Sequence, residues 1–326
     1  MSSLTLFTPA GALAKAGNLQ RAAKRLGQLG FEVSIDADAL ARHQRFAGDD
    51  ATRLAALHRI ADAAPSVALA SRGGYGLTRL LDQIDWDRIA HSIEHGTRWV
   101  GYSDLTALQN GLIARKKGLS MWAGPLACDD FGRSEAEGGV DEVTRDCFLE
   151  AMSGALEAVG FRAPTAEFDG LEARGRLWGG NLTVLCSLLG TPHWPKVKGG
   201  ILFLEDINEH PYRVERMLLQ LQQAGVIDAQ AAVLLGDFSG AAKSPLDRGY
   251  GIKDAMAALR ARTRTPVLTG LPFGHIRTKV CLPVGATVEM FVQGREAILG
   301  WQSDARLAHG HHGHHGHDHH DHHDHH

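Results

Sequence analysis

The segment TRWVGYSDLTALQNGLIARKKG, residues 97–118, decides the fold class of this 326-residue chain. An apolar strand runs into a short turn, and a helical pattern follows at once and ends at a glycine. The preceding sequence repeats this order, with predicted strands over residues 3–10, 31–35 and 66–71 and a helix after each of the first two. Strands that alternate with helices are typical of a doubly wound parallel sheet, so we predict an α/β fold.

The apolar periodicity weakens over residues 129–170, where small, acidic and glycine residues accumulate around one predicted helix at residues 143–154. We interpret this stretch as a linker. The sequence therefore predicts an N-terminal α/β domain over residues 1–160 and a smaller, mixed α/β domain over residues 161–308. The second domain is expected to be richer in strands and to include residues 281–291, CLPVGATVEMF.

Residues 309–326 contain 12 of the 19 histidines and no apolar side chain, so we expect a disordered tail. Its imidazoles and carboxylates are expected to bind Zn, Ni or Cu ions in vitro. The first candidate ligands in the tail are His309, His311, His312, His314 and His315. The alternatives are a solvated tail or an added tag, and a catalytic role is not expected.

Composition and charge exclude several classes of protein. Hydrophobic residues make up 44% and charged residues 22% of the chain, as in ordinary globular proteins. The formal net charge of -3 equals that of the tail residues Asp318, Asp321 and Asp324, so we expect neither nucleic acid nor a membrane as partner. The start of the chain lacks a signal-peptide pattern, which favours the cytoplasm. The four cysteines contain no C-x-x-C pair, and we expect free thiols.

The turn GYSD, residues 101–104, carries the most informative chemical signal. A serine between a strand and a helix is lifted from the sheet edge and lies beside the first free amides of the helix. Ser103 is thereby suited to attack a carbonyl, while the amide of Asp104 receives the oxyanion. The alternative is that Ser103 is only a helix N-cap. On this fragment alone the alternative is favoured, because the second glycine of G-x-S-x-G is absent.

A second glycine-rich turn, RGGYG at residues 72–76, also follows a predicted strand. Because parallel strands end at one edge of a sheet, we expect this turn to lie near Ser103. The backbone of Gly73 or Gly74 would then donate the second oxyanion hydrogen bond. A phosphate cradle is the competing interpretation, but neither G-x-G-x-x-G nor G-K-[ST] is complete.

A nucleophilic serine needs a base and an acid that orients the base. Seven histidines lie outside the tail, and His275 differs from most of them because it lies in LPFGHIRTK, a loop that opens onto a strand. Glu205 ends the apolar strand ILFLE, and a carboxylate at that end of a strand indicates a site residue. Asp206 and Glu209 stay open as substitutes for Glu205.

Five motifs occur in the order that is characteristic of the LD-carboxypeptidase family of serine peptidases: RGGYG, GYSD, GGNL, LED followed by YRVERML, and GHIRTKVCLPVGA. The chain resembles this family over about residues 3–303. The resemblance implies a cytoplasmic hydrolase that removes the terminal D-alanine from murein tetrapeptide during cell-wall recycling. It further implies a Ser103, Glu205, His275 triad between two domains, a homodimer, and neither a cofactor nor a metal in the site.

The sequence departs from the family pattern at Ala123-Gly124-Pro125, where many relatives have His-Gly-Pro, and this departure bears on substrate detail and not on the triad. A carboxypeptidase also needs a cation for the terminal carboxylate of its substrate. Arg72 and Arg277 are candidates, because each neighbours a predicted site residue, although either can form a structural ion pair. Tyr75 and Asn181 are further candidates for substrate contacts.

Three other functions stay open. The first is that of the microcin-immunity peptidases, which share the triad but act on peptidyl or aminoacyl nucleotide toxins. The second is a metal-binding or buffering protein that uses the histidine-rich tail. The third is a nucleotide-binding α/β protein, which depends on RGGYG and on analogy of fold alone.

Overall fold

The structure is a computed structural model that describes residues 1–302, and the predicted tail at residues 309–326, with its candidate metal ligands, lies outside the described residues. The elements of the first part are, in chain order, β1 (Ser2–Phe7), α1 (Ala16–Gln28), β2 (Phe31–Ile35), α2 (Asp50–Ala63), β3 (Val67–Ala70), α3 (Trp86–Glu94), β4 (Arg98–Gly101), α4 (Leu105–Arg115), β5 (Met121–Ala123) and α5 (Glu142–Ser153). The elements of the second part are β6 (Ala158–Arg162), β7 (Glu172–Asn181), α6 (Leu182–Leu188), β8 (Ile201–Ile207), α7 (Pro211–Gln223), β9 (Ala232–Ser239), α8 (Ile252–Arg260), β10 (Val267–Thr269), β11 (Leu282–Val284), β12 (Thr287–Gln293) and β13 (Glu296–Gly300).

The first sheet has six strands in the order β11-β5-β4-β3-β1-β2. Strands β1 to β5 run parallel, and β11 pairs with β5 in the antiparallel direction. All four residues of β3 are buried, as expected for a parallel strand that helices cover on both faces. The α/β fold that the sequence predicts for this part is confirmed.

Helix α4 is more buried than an ordinary surface helix. Helix α1 buries one stripe, Leu19, Ala22 and Leu26, whereas every residue of α4 from Leu105 to Ile113 is buried. The reason is that α4 packs between the two sheets. Its Asn110 exchanges hydrogen bonds with the backbone of Gly179 in β7, at 2.8 and 3.2 Å. The helix that follows the GYSD turn is therefore held rigidly by both parts of the molecule.

The second sheet has seven strands in the order β10-β9-β8-β7-β12-β13-β6. Its β10, β9, β8 and β7 are parallel, and β12, β13 and β6 continue it in the antiparallel direction. Strand β8 is buried along almost its whole length, which agrees with its sequence, a continuous apolar run with two carboxylates near its end. The predicted mixed α/β architecture is confirmed for this part as well.

Residues 281–291, which the sequence analysis assigns to the second domain, pair with both sheets. They form two strands, of which β11 joins the first sheet and β12 the second. Gly285 has a φ of 101° and makes the turn between them, a conformation that favours glycine. The proposed boundary at residue 160 falls within β6, which belongs to the second sheet, and the position of the boundary stays a prediction.

Candidate active site

Ser103 lies in the three-residue turn between β4 and α4. Its φ is 63°, in the left-handed region that residues other than glycine seldom adopt, and such strain is typical of functional turns. The N-cap of α4 is Asp104, whose carboxylate accepts a hydrogen bond from Leu77 N at 2.8 Å and not from its own helix. Ser103 therefore does not serve as the N-cap, and its hydroxyl points elsewhere.

The Ser103 hydroxyl meets His275, which is 172 residues away in the chain. His275 Nε2 lies 3.2 Å from Ser103 Oγ, and His275 Nδ1 lies 2.7 Å from Glu205 Oε2. A buried carboxylate accepts the Nδ1 proton, which leaves Nε2 as the acceptor for the serine hydroxyl. The structure thus brings together the three side chains that the sequence singles out. Asp206 and Glu209, the substitutes for Glu205, are hydrogen-bonded to Thr183 and not to the imidazole.

Glu205 is completely buried, with 0% of its surface exposed. Burial raises the pKa of this carboxyl, and the hydrogen bond from His275 opposes that shift. Asn181 donates its side-chain amide to Glu205 Oε1 at 3.2 Å and to Asp206 Oδ1 at 3.0 Å. The carboxylate is therefore oriented by two donors, as expected for an acid that holds an imidazole in one tautomer.

An irregularity in the sheet places the histidine loop. The pairing of β8 with β9 shifts between Leu204 and Asp206, and the extra residue of β9 forms a bulge opposite Glu205. At this bulge Asp237 N donates to Phe273 O at 2.9 Å, two residues before His275. The bulge therefore fixes the loop beside the end of β8, where the carboxylate lies.

The RGGYG turn lies against Ser103, as the sequence predicts for two turns at one sheet edge. A Cβ built on Gly73 would lie 2.8 Å from Ser103 Cβ, 2.9 Å from Ser103 Oγ and 3.4 Å from Asp104 N. Gly73 O accepts from Gly11 N at 3.0 Å, which anchors the turn. Only a residue without a side chain leaves space for a reacting carbonyl between this turn and Ser103. The roles of Asp104, Gly73 and Gly74 as oxyanion donors stay predictions.

Comparison with known proteins identifies the family. A family model of the LD-carboxypeptidase N-terminal domain matches residues 4–124, and that of the C-terminal domain matches residues 174–290. The chain belongs to the LD-carboxypeptidase family. It is 30% identical to a probable murein peptide carboxypeptidase of Bacillus subtilis over 84% of each chain. The crystal structure of muramoyltetrapeptide carboxypeptidase from Oxalobacter formigenes is 37% identical, with a TM-score of 0.82, and the match covers 91% of this chain and 98% of that one.

Sequence similarity also extends to a protein whose name states a different function. The microcin C7 self-immunity protein MccF of Escherichia coli is 25% identical over 65% of this chain and 67% of its own. A structure of MccF in complex with glutamyl sulfamoyl guanosine has a TM-score of 0.78 at 20% identity, which is a likeness of fold. LD-carboxypeptidases and MccF thus share one architecture, and this chain has it too.

The remaining predicted residues of this LD-carboxypeptidase family member occupy different places. Arg72 donates to Ala12 O and Arg277 to Gly138 O, so each guanidinium is anchored to a backbone carbonyl. Tyr75 is 46% exposed and packs its ring 5.8 Å from that of Phe46. Asn181 lies behind Glu205 and is buried. Substrate contacts by these four residues stay predictions.

Three residues near the triad are not predicted from the sequence. The Tyr102 ring packs edge-on against His275 at a centroid distance of 4.9 Å, and Lys279 Nζ lies 5.3 Å from the centre of the same ring. Lys279 is 1% exposed and pairs with the equally buried carboxylate of Asp130. The pair ties the histidine loop to the helical turn at Ala127–Phe131. No local spacing marks these residues, because they are joined only by the tertiary fold.

The described residues contain neither a candidate metal site nor a candidate membrane-spanning helix. Within residues 1–302, no group of three or more His, Cys, Asp or Glu side chains could hold a metal ion. Over the same part of the chain, no helix combines the length and the apolar character that a passage through a membrane requires. A cavity of about 1780 Å³ lies between β12, β13 and the end of α3, and no triad residue lines it.

Proposed function

We propose that this protein is a serine-type LD-carboxypeptidase that releases the terminal D-alanine from murein tetrapeptide. The observation that carries the proposal is the hydrogen-bonded series from Ser103 through His275 to Glu205, next to the space left by Gly73. The names of the relatives from Bacillus subtilis and Oxalobacter formigenes support a murein peptide as substrate.

In the proposed reaction, Ser103 Oγ attacks the carbonyl carbon of the residue before D-alanine, and its proton passes to His275 Nε2. Glu205 stabilises the resulting imidazolium and keeps the ring in place. The amides of Asp104 and of Gly73 or Gly74 stabilise the oxyanion, each typically contributing about 10² to 10³ in rate. His275 then protonates the leaving amine of D-alanine. In the second half of the reaction His275 removes a proton from water, which attacks the acyl-enzyme, and returns that proton to Ser103 Oγ.

The proposal places the enzyme in the cytoplasm, where it would act on murein peptides recovered during cell-wall recycling, and as a homodimer. The exposed apolar side chains of Phe291 and Ile298, 46% and 53% exposed on β12 and β13, support association of two copies. Light scattering on the purified protein would test the homodimer, and a mass of one chain at micromolar concentration would contradict it.

The central experiment is mass spectrometry of murein tetrapeptide incubated with the pure protein. D-Alanine release is expected from the wild type in the presence of EDTA and is expected to disappear in Ser103→Ala. Ser153→Ala, which removes an exposed serine at the end of α5, is the matched control and should keep full activity. Activity retained by Ser103→Ala would exclude the triad, and loss on chelation would indicate a metal-dependent site.

A second candidate is a peptidase of the microcin-immunity type, which the similarity to MccF supports. Competition between murein tetrapeptide and an aminoacyl sulfamoyl nucleoside separates the two functions. We expect kcat/KM to favour the tetrapeptide, and a preference for the nucleoside would replace the first proposal. Deletion of residues 309–326 tests the metal-buffer alternative, because the enzyme should keep its turnover and lose only metal binding.

A further inference from the structure

A pocket of about 240 Å³ lies at the glycine-rich turn that contacts Ser103. Three arginines line it, Arg42, Arg45 and Arg72, together with Gly74 and Tyr75. Gly74 directly follows Gly73, whose Cα faces Ser103 across the space described above. Adjacent residues of one turn therefore line the pocket and the space beside Ser103.

Arg42 and Arg72 are held in place by a single loop, the one between β1 and α1. Arg42 Nη2 donates to Leu13 O at 2.8 Å, and Arg72 Nη1 donates to Ala12 O. The backbone of Arg45 is fixed to the same loop, since its carbonyl accepts from Ala12 N at 2.9 Å. Two of the three cations are thus preorganised by carbonyls, which leaves most of their N–H donors for a ligand.

Within residues 1–302, none of the three arginines forms an ion pair with a carboxylate. Surface arginines elsewhere in the molecule are commonly paired, as Arg88 is with Asp62 and Arg174 with Glu289. Three like charges repel one another unless an anion lies between them. The pocket therefore has a positive potential that a carboxylate of the ligand would neutralise.

Carboxylate side chains lie close to His275. A Cβ built on Gly274 would lie 3.3 Å from Glu205 Cβ and 3.1 Å from Asp237 Cβ, so both carboxylate side chains flank the residue before His275. Asp206 follows Glu205 at the same strand end. Glu205 and Asp206 are buried and hydrogen-bonded, whereas Arg42 and Arg45 are exposed, so the arginine side is the one that attracts a free carboxylate. This charge distribution favours a peptide whose leaving end is negative.

We propose that Arg42, Arg45 and Arg72 bind the terminal carboxylate of the leaving residue and so restrict the enzyme to the last residue of a peptide. This inference rests on the proposed function and adds to it the residues that decide exopeptidase action. Arg42 and Arg45 lie more than fifty residues before the nucleophile, outside all motifs of the family that the chain displays. A fork of guanidinium donors is the geometry that recognises a carboxylate by two hydrogen bonds.

The test compares two substrates, murein tetrapeptide with a free terminal carboxylate and the same peptide ending in D-alaninamide. The wild type should cleave the acid at a kcat/KM about 10- to 100-fold above that of the amide, as expected for loss of a charge-assisted hydrogen-bond pair. Arg45→Gln and the double variant Arg42→Gln/Arg45→Gln should lower kcat/KM for the acid by about 10-fold and 100-fold, with the amide within about twofold of wild type. Arg45→Lys should recover part of the preference.

Arg174→Gln, which removes an exposed arginine remote from the site, is the matched control and should leave the acid-to-amide ratio unchanged. Equal cleavage of acid and amide by the wild type would overturn the inference and leave the proposed function intact. Equal loss on both substrates in the double variant would also overturn it, because the arginines would then serve the fold or the chemistry. Release of neither D-alanine nor D-alaninamide by the folded wild type would overturn the proposed function and this inference with it.

Discussion

Substitution of Gly73 by alanine tests whether the space beside Ser103 is the place of reaction. The added methyl carbon would lie 2.8 Å from Ser103 Cβ and 2.9 Å from Ser103 Oγ. Ordinary contacts begin at 3.4 Å, so the serine or the turn must move by about 0.6 Å. The hydrogen bond from Ser103 Oγ to His275 Nε2, now 3.2 Å, would lengthen beyond a useful distance if the serine gives way.

The expected effect is a fall in kcat of about 10²-fold, the typical cost of a displacement of this size at a reacting centre. Overpacking is expected to lower the free energy of unfolding by about 1–3 kcal/mol, which leaves the protein folded. The backbone of Gly73 is not in the left-handed region, so the effect would come from the methyl group and not from strain.

The assay combines steady-state kinetics on murein tetrapeptide with urea unfolding of the same preparations. Gly27→Ala is the matched control, because no heavy atom lies within 4 Å of its Cβ and helix α1 should tolerate alanine. A folded Gly73→Ala protein with kcat within about threefold of wild type would refute the assignment of this space to the tetrahedral intermediate.

Three further predictions follow from the buried groups. Glu205→Gln should reduce kcat by about 10³- to 10⁴-fold in steady-state assays, because an amide no longer selects the reactive imidazole tautomer; unchanged kcat would exclude Glu205 from the triad. Lys279→Met should lower the free energy of unfolding in urea by about 3–5 kcal/mol, since it strands the buried Asp130 carboxylate, and a loss below about 1 kcal/mol would contradict this. Burial raises the pKa of the Asp104 carboxyl from 3.8 to about 6. The folded state therefore binds the Asp104 proton more tightly than the unfolded state does. This stabilises the fold below about pH 4, and the stabilisation is lost as the pH rises through about 6. In Asp104→Asn the loss between pH 4 and 6 should be smaller by about 2–3 kcal/mol in urea titrations, and identical pH profiles would refute the shift.

Two of these experiments have controls within the chain. Lys253→Met, on the exposed side of α8, removes a lysine without a buried partner and should change the unfolding free energy little. Asp87→Asn removes an exposed carboxylate at the start of α3 and should leave the pH profile between 4 and 6 as in the wild type.

Much of the site could be read from short stretches of sequence. The turn at Ser103 and the turn at Gly73 each follow a buried strand of one parallel sheet, and such strands end at a common edge. Glu205 can be predicted in the same way, because burying a carboxylate at the end of an apolar strand costs free energy, and such a residue therefore indicates a functional role. These predictions depend on neighbours within a few positions, and the structure places these residues together.

Other features depend on the packing of distant elements. The strand Leu282–Val284 joins the first sheet, whereas β12, which follows it in the chain, joins the second. The ion pair of Lys279 with Asp130 joins residues 149 positions apart. Nothing in the sequence around either residue indicates its partner, because charge and hydropathy describe the environment that suits a residue and not which residue it contacts.

Short stretches of sequence specify the alternation of strands and helices, the two turns at the sheet edge, and the types of side chain available for acyl transfer. The whole fold is needed to bring His275 to Ser103, to place the histidine loop opposite Glu205 through a bulge in β9, and to set Arg42 and Arg45 at the pocket beside Gly74. The difference is one of range. Helix and strand periodicity arise from interactions over a few residues, whereas the meeting of side chains 172 positions apart depends on the order of strands in two sheets and on the packing of α4 between them.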